Sequence, residues 1–255
     1  MILRMVESRR RVALVTGSSR GLGSAIARRL AADGMAVAVN GLRDGEQAAG
    51  VVESIRTDGG VAEMISGDIT DEQAVGEIVA AVTEKLGPID VLVLNATGPQ
   101  PEAALADTAW SDHLSQLDFF VKSPVLLGRA IIPGMQERGY GRIVHIDSEV
   151  ADRPPVERSA YATAKNAQIG LARSWAHELA PHGITVNAVA PGFIAVERHY
   201  TVPAAVKDAY IATVPVGRMG TPDDVANAVS FFAADQSGFI TGQRLQIDGG
   251  RTLYV

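Results

Sequence analysis

Short apolar runs rich in β-branched residues recur along the chain: Val12 to Thr16, Met35 to Asn40, Val61 to Ser66, Ile89 to Asn95, Arg142 to Asp147, Ile184 to Ala190 and Leu245 to Asp248. The longer stretches between them carry the helical period instead, as in the segment where Leu22, Ile26 and Leu30 fall on one face. This alternation predicts βαβ units and a parallel sheet. Two helix starts carry their own punctuation. Thr70-Asp71-Glu72-Gln73 reads as a capping box, and Thr221-Pro222-Asp223 places an N-cap hydroxyl before a proline at the first helical position. The longest stretches without clear period, Asn95 to Thr108 and Pro191 to Pro215, each follow a strand's carboxyl end. Open α/β sheets bind their ligands there, so these loops are expected to border a substrate. No repeat, low-complexity tract or linker interrupts the pattern, and one domain over residues 1–255 is expected.

Composition sharpens the fold class. The hydrophobic share is 47% and the aromatic share 5%, which calls for a core of Ala, Val, Leu and Ile under helices on both faces of the sheet. The formal charge of −6 argues against a nucleic-acid partner. With no cysteine there is no disulfide or thiolate chemistry, and the five histidines show no ligand spacing, so no metal is expected. The basic cluster Arg9-Arg10-Arg11 precedes an apolar run, Val12 to Val15, too short for a signal-peptide core. No stretch approaches the ~20 apolar residues of a membrane span. The expected compartment is the cytoplasm.

Candidate chemistry begins after the first strand. Thr16-Gly17-Ser18-Ser19-Arg20-Gly21-Leu22-Gly23 leads straight into a helix, the order in which a glycine turn and unpaired helix N–H groups receive a pyrophosphate. Its spacing, G-x-x-x-G-x-G, differs from the usual dinucleotide fingerprint, and three glycines alone also fit an ordinary strand-to-helix turn. Further on, Tyr161 and Lys165 stand four apart at the head of a helical pattern and so share a face. Tyrosine ionises near pH 10, and acid/base work at neutrality calls for a drop of about three pH units, roughly 4 kcal/mol. The lysine cation is expected to supply a field of that sign. Ser148 closes a strand upstream, where its hydroxyl can donate to a carbonyl oxygen as charge builds there.

Taken together these residues resemble the short-chain dehydrogenase/reductase family in its single-domain branch. The T-G-x-x-x-G-x-G turn, Asn95-Ala96, Ser148, Tyr161-x-x-x-Lys165, Asn187-x-Val189-x-Pro191-Gly192 and the ending Ile240-Thr241-Gly242 to Asp248-Gly249-Gly250 occur in the family's order and span nearly the whole chain. The resemblance implies a doubly wound, Rossmann-type α/β fold and hydride transfer between a nicotinamide and a carbonyl carbon. Tyr161 would be the acid/base and Ser148 would orient the carbonyl, while Lys165 would also hold the nicotinamide ribose. It also implies cofactor contacts from Gly17, Ser19, Arg20, Gly21, Leu22, Asp68, Ile69, Asn95, Ala96, Pro191, Gly192 and Ile194. Family members are commonly tetramers. Here the joining elements would be helices over about Asp112 to Glu137 and Ser159 to Ala180, with the C-terminal strand.

The sequence departs from that family at three positions. Phe120 stands where a motif Asn helps hold a water chain to the lysine, and a phenyl ring offers neither donor nor acceptor. Either the proton takes another route, the reading preferred here, or the protein binds dinucleotide with little turnover. Thr97 replaces a glycine, and Val196 replaces a threonine on the carboxamide. Asp147 and Glu149 flank Ser148 and could tune the site, while alternation at a strand end favours the reading that both face solvent. At the end of the second strand, Asn40-Gly41-Leu42-Arg43 lacks the carboxylate that binds a ribose 2′-hydroxyl. Arg43, with Arg20, suits a 2′-phosphate, so the expected cofactor is NADP(H). The pattern is similar to 3-oxoacyl carrier-protein reductases, and Arg153, Arg158, Arg198 and His199 hint at an anionic or acyl-thioester ketone. Sugar, steroid and small-alcohol dehydrogenases of the same branch remain alternatives.

Overall fold

The computed structural model describes residues 9–43 and 45–253. The expectation of one domain over 1–255 therefore also covers residues 1–8, 44 and 254–255, outside the described residues. Seven strands form: β1 (Val12–Val15), β2 (Ala36–Gly41), β3 (Val61–Ser66), β4 (Val91–Leu94), β5 (Gly141–Ile146), β6 (Ile184–Pro191) and β7 (Arg244–Ile247). All pair in parallel, in the order β3-β2-β1-β4-β5-β6-β7. The central strands β2, β1, β4, β5 and β6 are buried along their full length, so β1 and β4 are wholly apolar and the few polar residues of the others, Asn40, Arg142, His145, Thr185 and Asn187, are buried with them. The edge strands β3 and β7 alternate or lie half exposed.

The helices are α1 (Gly21–Ala32), α2 (Glu46–Thr57), α3 (Glu72–Lys85), α4 (Trp110–Leu117), α5 (Ser123–Arg138), α6 (Ser159–Leu179), α7 (Ala204–Ile211) and α8 (Pro222–Ala233). Residues of α1, α2 and α8 pack on one face of the sheet with Val15, Val39 and Val93. Those of α3, α5 and α6 pack on the other with Leu14, Leu92 and Ile143. Each such Val, Leu or Ile side chain is worth about 1.5–3 kcal/mol when fully withdrawn from water. The predicted α/β fold with helices on both faces is thus the one that forms. Chain order steps outward from β1 through β2 to β3 and then returns to β4 on β1's other side. The crevice at the carboxyl ends of β1 and β4 is therefore the switch point where such sheets bind ligands.

Two local expectations need correction. The cap of α3 is Asp71, whose carboxylate accepts from Ala74 N at 2.8 Å, while the Thr70 hydroxyl donates to Asp68 at 2.7 Å. Asp68 captured the hydroxyl first, so the box based on Thr70 does not form. Thr221 and Asp224 do form a reciprocal box at α8, with Pro222 at its first position. The helix foreseen over about 112–137 is not one α-helix: a π turn over Asp118–Lys122 separates α4 from α5. Pro124 has no N–H for the Phe120 carbonyl four residues back, and Ser123 N bonds to Asp118 O, five back. Phe120 sits in the middle of this turn.

Candidate active site

The glycine turn is fixed from three sides by polar groups at strand ends. Thr16 donates through its hydroxyl to Val93 O at 3.1 Å and accepts from Asn95 N at 2.9 Å, tying the end of β1 to that of β4. Asn95 Nδ2 donates to Thr16 O at 2.8 Å and Gly17 O at 3.1 Å. On the other flank Asn40, at the end of β2, accepts through its carbonyl from Ser18 N at 2.7 Å and receives Gly17 N on its side chain at 3.4 Å. Asn95 thus shapes the turn from behind. Gly21 adopts φ 56°, a left-handed conformation, and a Cβ at Gly23 would lie 2.5 Å from Asn95 Nδ2 and 2.8 Å from Ser18 Cα. Behind the turn α1 begins at Arg20 with no side-chain cap and no acidic residue in its first turn. Its first N–H groups and dipole are left for an anion, so the cradle fits the pyrophosphate of a dinucleotide. Glu197 lies over this cradle, its Oε2 3.2 Å from where a Gly21 Cβ would stand.

Helix α6 carries the second half of the site. Its buried stripe runs Tyr161, Lys165, Gln168, Ala172, Ala176 and Leu179, so the polar head of an otherwise small and apolar face lies against the end of β5. Lys165 Nζ donates to Ile146 O at 2.7 Å and to Gln168 Oε1 at 3.2 Å. Ser148 follows β5 immediately, its hydroxyl accepts from Val150 N at 3.2 Å, and it lies within hydrogen-bonding reach of Tyr161. The structure therefore brings Ser148, Tyr161 and Lys165 together beside the switch point.

The electrostatics differ from the simple expectation. Burial pushes the Tyr161 phenol above its ordinary value of 10, with Ser148, Arg198 and Arg158 pulling it back and Asp147 adding to the rise. Ser148 and these arginines are the influences that oppose the rise, and the Lys165 ammonium points to Ile146 and Gln168. Burial also brings Lys165 itself down to about 7, against the upward pull of Asp147. Phe120, 2% exposed, lies beneath the lysine: Nζ stands 3.7 Å from the ring centroid, and the ring meets Tyr161 edge-on at 5.5 Å. It fills the space with a cation–π contact where an amide would have bonded.

Asp147 and Glu149 do not face solvent. They are 3% and 7% exposed, Asp147 pairing with Arg244 and Glu149 with Arg251 at 3.0 Å. The strand ends at Ile146, and at its edge two arginines from β7 and the C-terminal segment draw both carboxylates inward. Burial pushes each carboxyl up despite these cations.

The remaining predicted residues separate into groups. Ser19, Arg20 and Leu22 belong to the turn, and Ala96 packs against Gly17. Asp68 is engaged with Thr70 through N and Oγ1, and Ile69 is buried beside it. Pro191 ends β6. Gly192 N bonds to Ile247 O at 3.0 Å, and Ile194 O holds His199 Nδ1 at 2.6 Å. Arg20 and Arg43 are exposed and make no ion pair among the described residues. Of the loop cations, Arg153 donates to Arg251 O at 2.6 Å and Arg158 is paired with Glu102, whereas Arg198 has no acidic partner among the described residues and reaches only His199, at 3.2 Å. Val196 is buried against the apolar cluster over α1. Sequence reasoning missed Asn40, Gln168, Arg244 and Glu197. Gln168 alone carried a signal, the i+3 spacing from Lys165.

The chain matches the family model described as enoyl-(acyl carrier protein) reductase over residues 17–252. It is 40% identical over 251 residues to the short-chain reductase protein NovJ of Streptomyces niveus, covering 96% of this chain and 95% of that one. It is 35% identical over 242 residues to the 3-oxoacyl-[acyl-carrier-protein] reductase FabG of Escherichia coli strain K12, covering 94% and 96%. Among solved structures it resembles a gluconate 5-dehydrogenase from Burkholderia cenocepacia J2315 in complex with NADP and tartrate. The TM-score is 0.89 and the identity 32%, over 96% of each chain.

Proposed function

Because the chain belongs to the short-chain dehydrogenase/reductase family, we propose that it is an NADP(H)-dependent oxidoreductase that reduces a ketone to a secondary alcohol, with Tyr161 as proton donor. The observation that carries the proposal is the convergence of Ser148, Tyr161 and Lys165 beside a glycine cradle at the switch point. When bound, the dinucleotide supplies the hydride. Its pyrophosphate would lie on the first turn of α1, and Arg20 and Arg43 would meet the 2′-phosphate, as unpaired guanidinium groups suit it. An ammonium has three donors, and Lys165 spends two on Ile146 and Gln168, which leaves one for the nicotinamide ribose. Leu22, Asp68, Ile69, Asn95, Ala96, Pro191, Gly192 and Ile194 would complete the pocket.

Tyr161, raised by burial, is a neutral phenol at physiological pH. That is the protonation state ketone reduction requires: the phenol gives its proton to the carbonyl oxygen as the carbon receives the hydride, while the Ser148 hydroxyl donates to the same oxygen. The tyrosinate left behind takes a proton back from solvent, while the Lys165 ammonium, directed at Ile146 and Gln168, stays beside it.

For substrate we favour a 3-oxoacyl thioester, on the likeness to the 3-oxoacyl reductases and on Arg198, a cation free to meet an anionic group. We also propose a homotetramer in the cytoplasm. Trp175, Ile132 and Val125 line an open groove between α5 and α6, and Phe239 and Leu245 stand exposed near β7, all on elements that could join copies. A sedimenting species of one 26.8 kDa chain would contradict the tetramer. The central test is NADPH and NADH oxidation with a panel of ketones and 3-oxoacyl thioesters, wild type beside Tyr161→Phe. Turnover with NADPH that vanishes in the variant is the expected result. Tight dinucleotide binding without turnover on any carbonyl would favour a binding protein instead, with Phe120 under the lysine as its structural basis.

A further inference from the structure

We propose that Asp147 is a positioning residue for the reaction: backed by Arg244 and Asp152, its carboxylate is the counter-charge that holds Lys165 as an ammonium ion above the Phe120 ring. The proposal rests on the ketone-reductase reading and adds how the lysine stays charged.

Lys165 is 2% exposed, and its contacts are two neutral acceptors and a phenyl ring. Such contacts offset only part of the desolvation of an ammonium, so the group needs an anion nearby or gives up its proton. Along β5, Val144 and Ile146 face the α1 and α8 side, and Ile143 faces α5 and α6. His145 therefore points with Ile143, toward the face where α6 presents Lys165, and Asp147, whose N still bonds to Val189 O at 2.7 Å and so carries the strand's course one residue past its end, points the same way. His145 is neutral there, which leaves Asp147 as the anion of its own strand. Its Oδ2 accepts from Arg244 Nε, and its Oδ1 is buried with no hydrogen-bond partner. Arg244 Nη1 in turn donates to Asp152 Oδ2 at 2.6 Å, an oxygen that Gln246 Nε2 also reaches at 2.6 Å. Two carboxylates thus share one guanidinium, and the negative charge left over balances Lys165. The other charges near the lysine do not serve. Glu149 is taken by Arg251, while Arg198 and Arg244 are cations that oppose its protonation.

Asp147→Asn keeps the shape and a bond to Arg244 but removes the charge. Asp152→Asn removes the outer charge from a side chain 35% exposed, where the fold tolerates it. Lys165 would be titrated by NMR through its 13Cε resonance, identified by its absence in Lys165→Met, alongside the basic limb of kcat for ketone reduction. Asp147→Asn is expected to move both midpoints at least about one pH unit downward, which lowers kcat about tenfold near pH 8 and far less near pH 6. Asp152→Asn should shift them the same way by less, and it decides the matter alone if Asp147→Asn does not fold. A Lys165 midpoint unmoved in both variants overturns the proposal whether or not turnover is seen. A shifted midpoint in a protein that reduces no ketone upholds the counter-charge and overturns the reductase reading instead.

Discussion

His145 offers a measurement of how far the interior of this sheet excludes charge. It is 0% exposed in the middle of β5, both ring nitrogens lack hydrogen-bond partners, and its ring meets Trp175 edge-on at 5.7 Å. Burial, with a smaller push from Lys165, lowers its pKa from 6.5 to about 3. In the unfolded chain the same imidazole takes a proton as pH falls through 6.5, while in the folded protein it stays neutral until about 3. The unfolded state therefore binds the extra proton. Stability is whole above about pH 7 and falls through the window between the two values, by about 1.4 kcal/mol per pH unit at its steepest. Integrated from pH 7.5 to pH 5, this single residue costs about 2 kcal/mol. Leucine has a similar volume, has no proton to take and leaves no unbonded nitrogen. His145→Leu should then match or exceed wild type at pH 7.5 and gain on it by about 2 kcal/mol at pH 5. Urea unfolding at a series of pH values reads the difference, and any fixed packing change from losing the ring cancels in the comparison across pH. If the two proteins lose stability in parallel between pH 7.5 and 5, His145 is not held neutral and the argument fails.

Two further outcomes follow from the cradle. Gly23→Ala places a methyl carbon against Ser18 Cα and Asn95 Nδ2, at 2.8 and 2.5 Å before relaxation, so it should weaken NADPH binding at least about tenfold and lower the melting temperature; a fluorescence titration with binding unchanged would refute it. Glu197 places a carboxylate where the pyrophosphate is expected, so Glu197→Gln should tighten NADPH binding about three- to tenfold, and the same titration would instead show weaker binding if the carboxylate helps to order the loop.

Much of the architecture was legible because it depends on local pattern. Continuous apolar runs such as Val12–Val15 and Val91–Leu94 mark strands covered on both faces, and Thr221-Pro222 marked the start of α8 because cap, proline and Asp224 all lie within four residues. The boundaries slipped where a nearby side chain competed. Ile89 and Asp90 fall outside β4 since the buried Asp90 carboxylate accepts from Val12 N at 3.0 Å and pairs with Arg9. Thr70 lost the cap of α3 to Asp71 in the same way. The π turn was legible in principle from Pro124, whose missing N–H forbids an unbroken helix across Phe120.

In the site, the residues with family motifs were legible by type and order, while their charge states were not, and the reason is distance along the chain. A carboxylate beside a strand end faces water unless a cation reaches it. Whether one does is decided by residues far away: Arg244 lies 97 positions from Asp147, and Arg251 comes from the C-terminal segment to Glu149. No local period encodes either meeting. The same holds for Phe120, which from sequence is a lost hydrogen bond and in the structure is a floor for the lysine ammonium. These two surprises are linked by electrostatics. Filling the space under Lys165 with a phenyl ring deepens its burial, and a buried ammonium is tolerable only with negative charge in reach. A polar residue at position 120 would relax that demand. Phe120 and the Asp147–Arg244–Asp152 cluster are therefore parts of one solution, and a change in either shifts the charge that the other must carry.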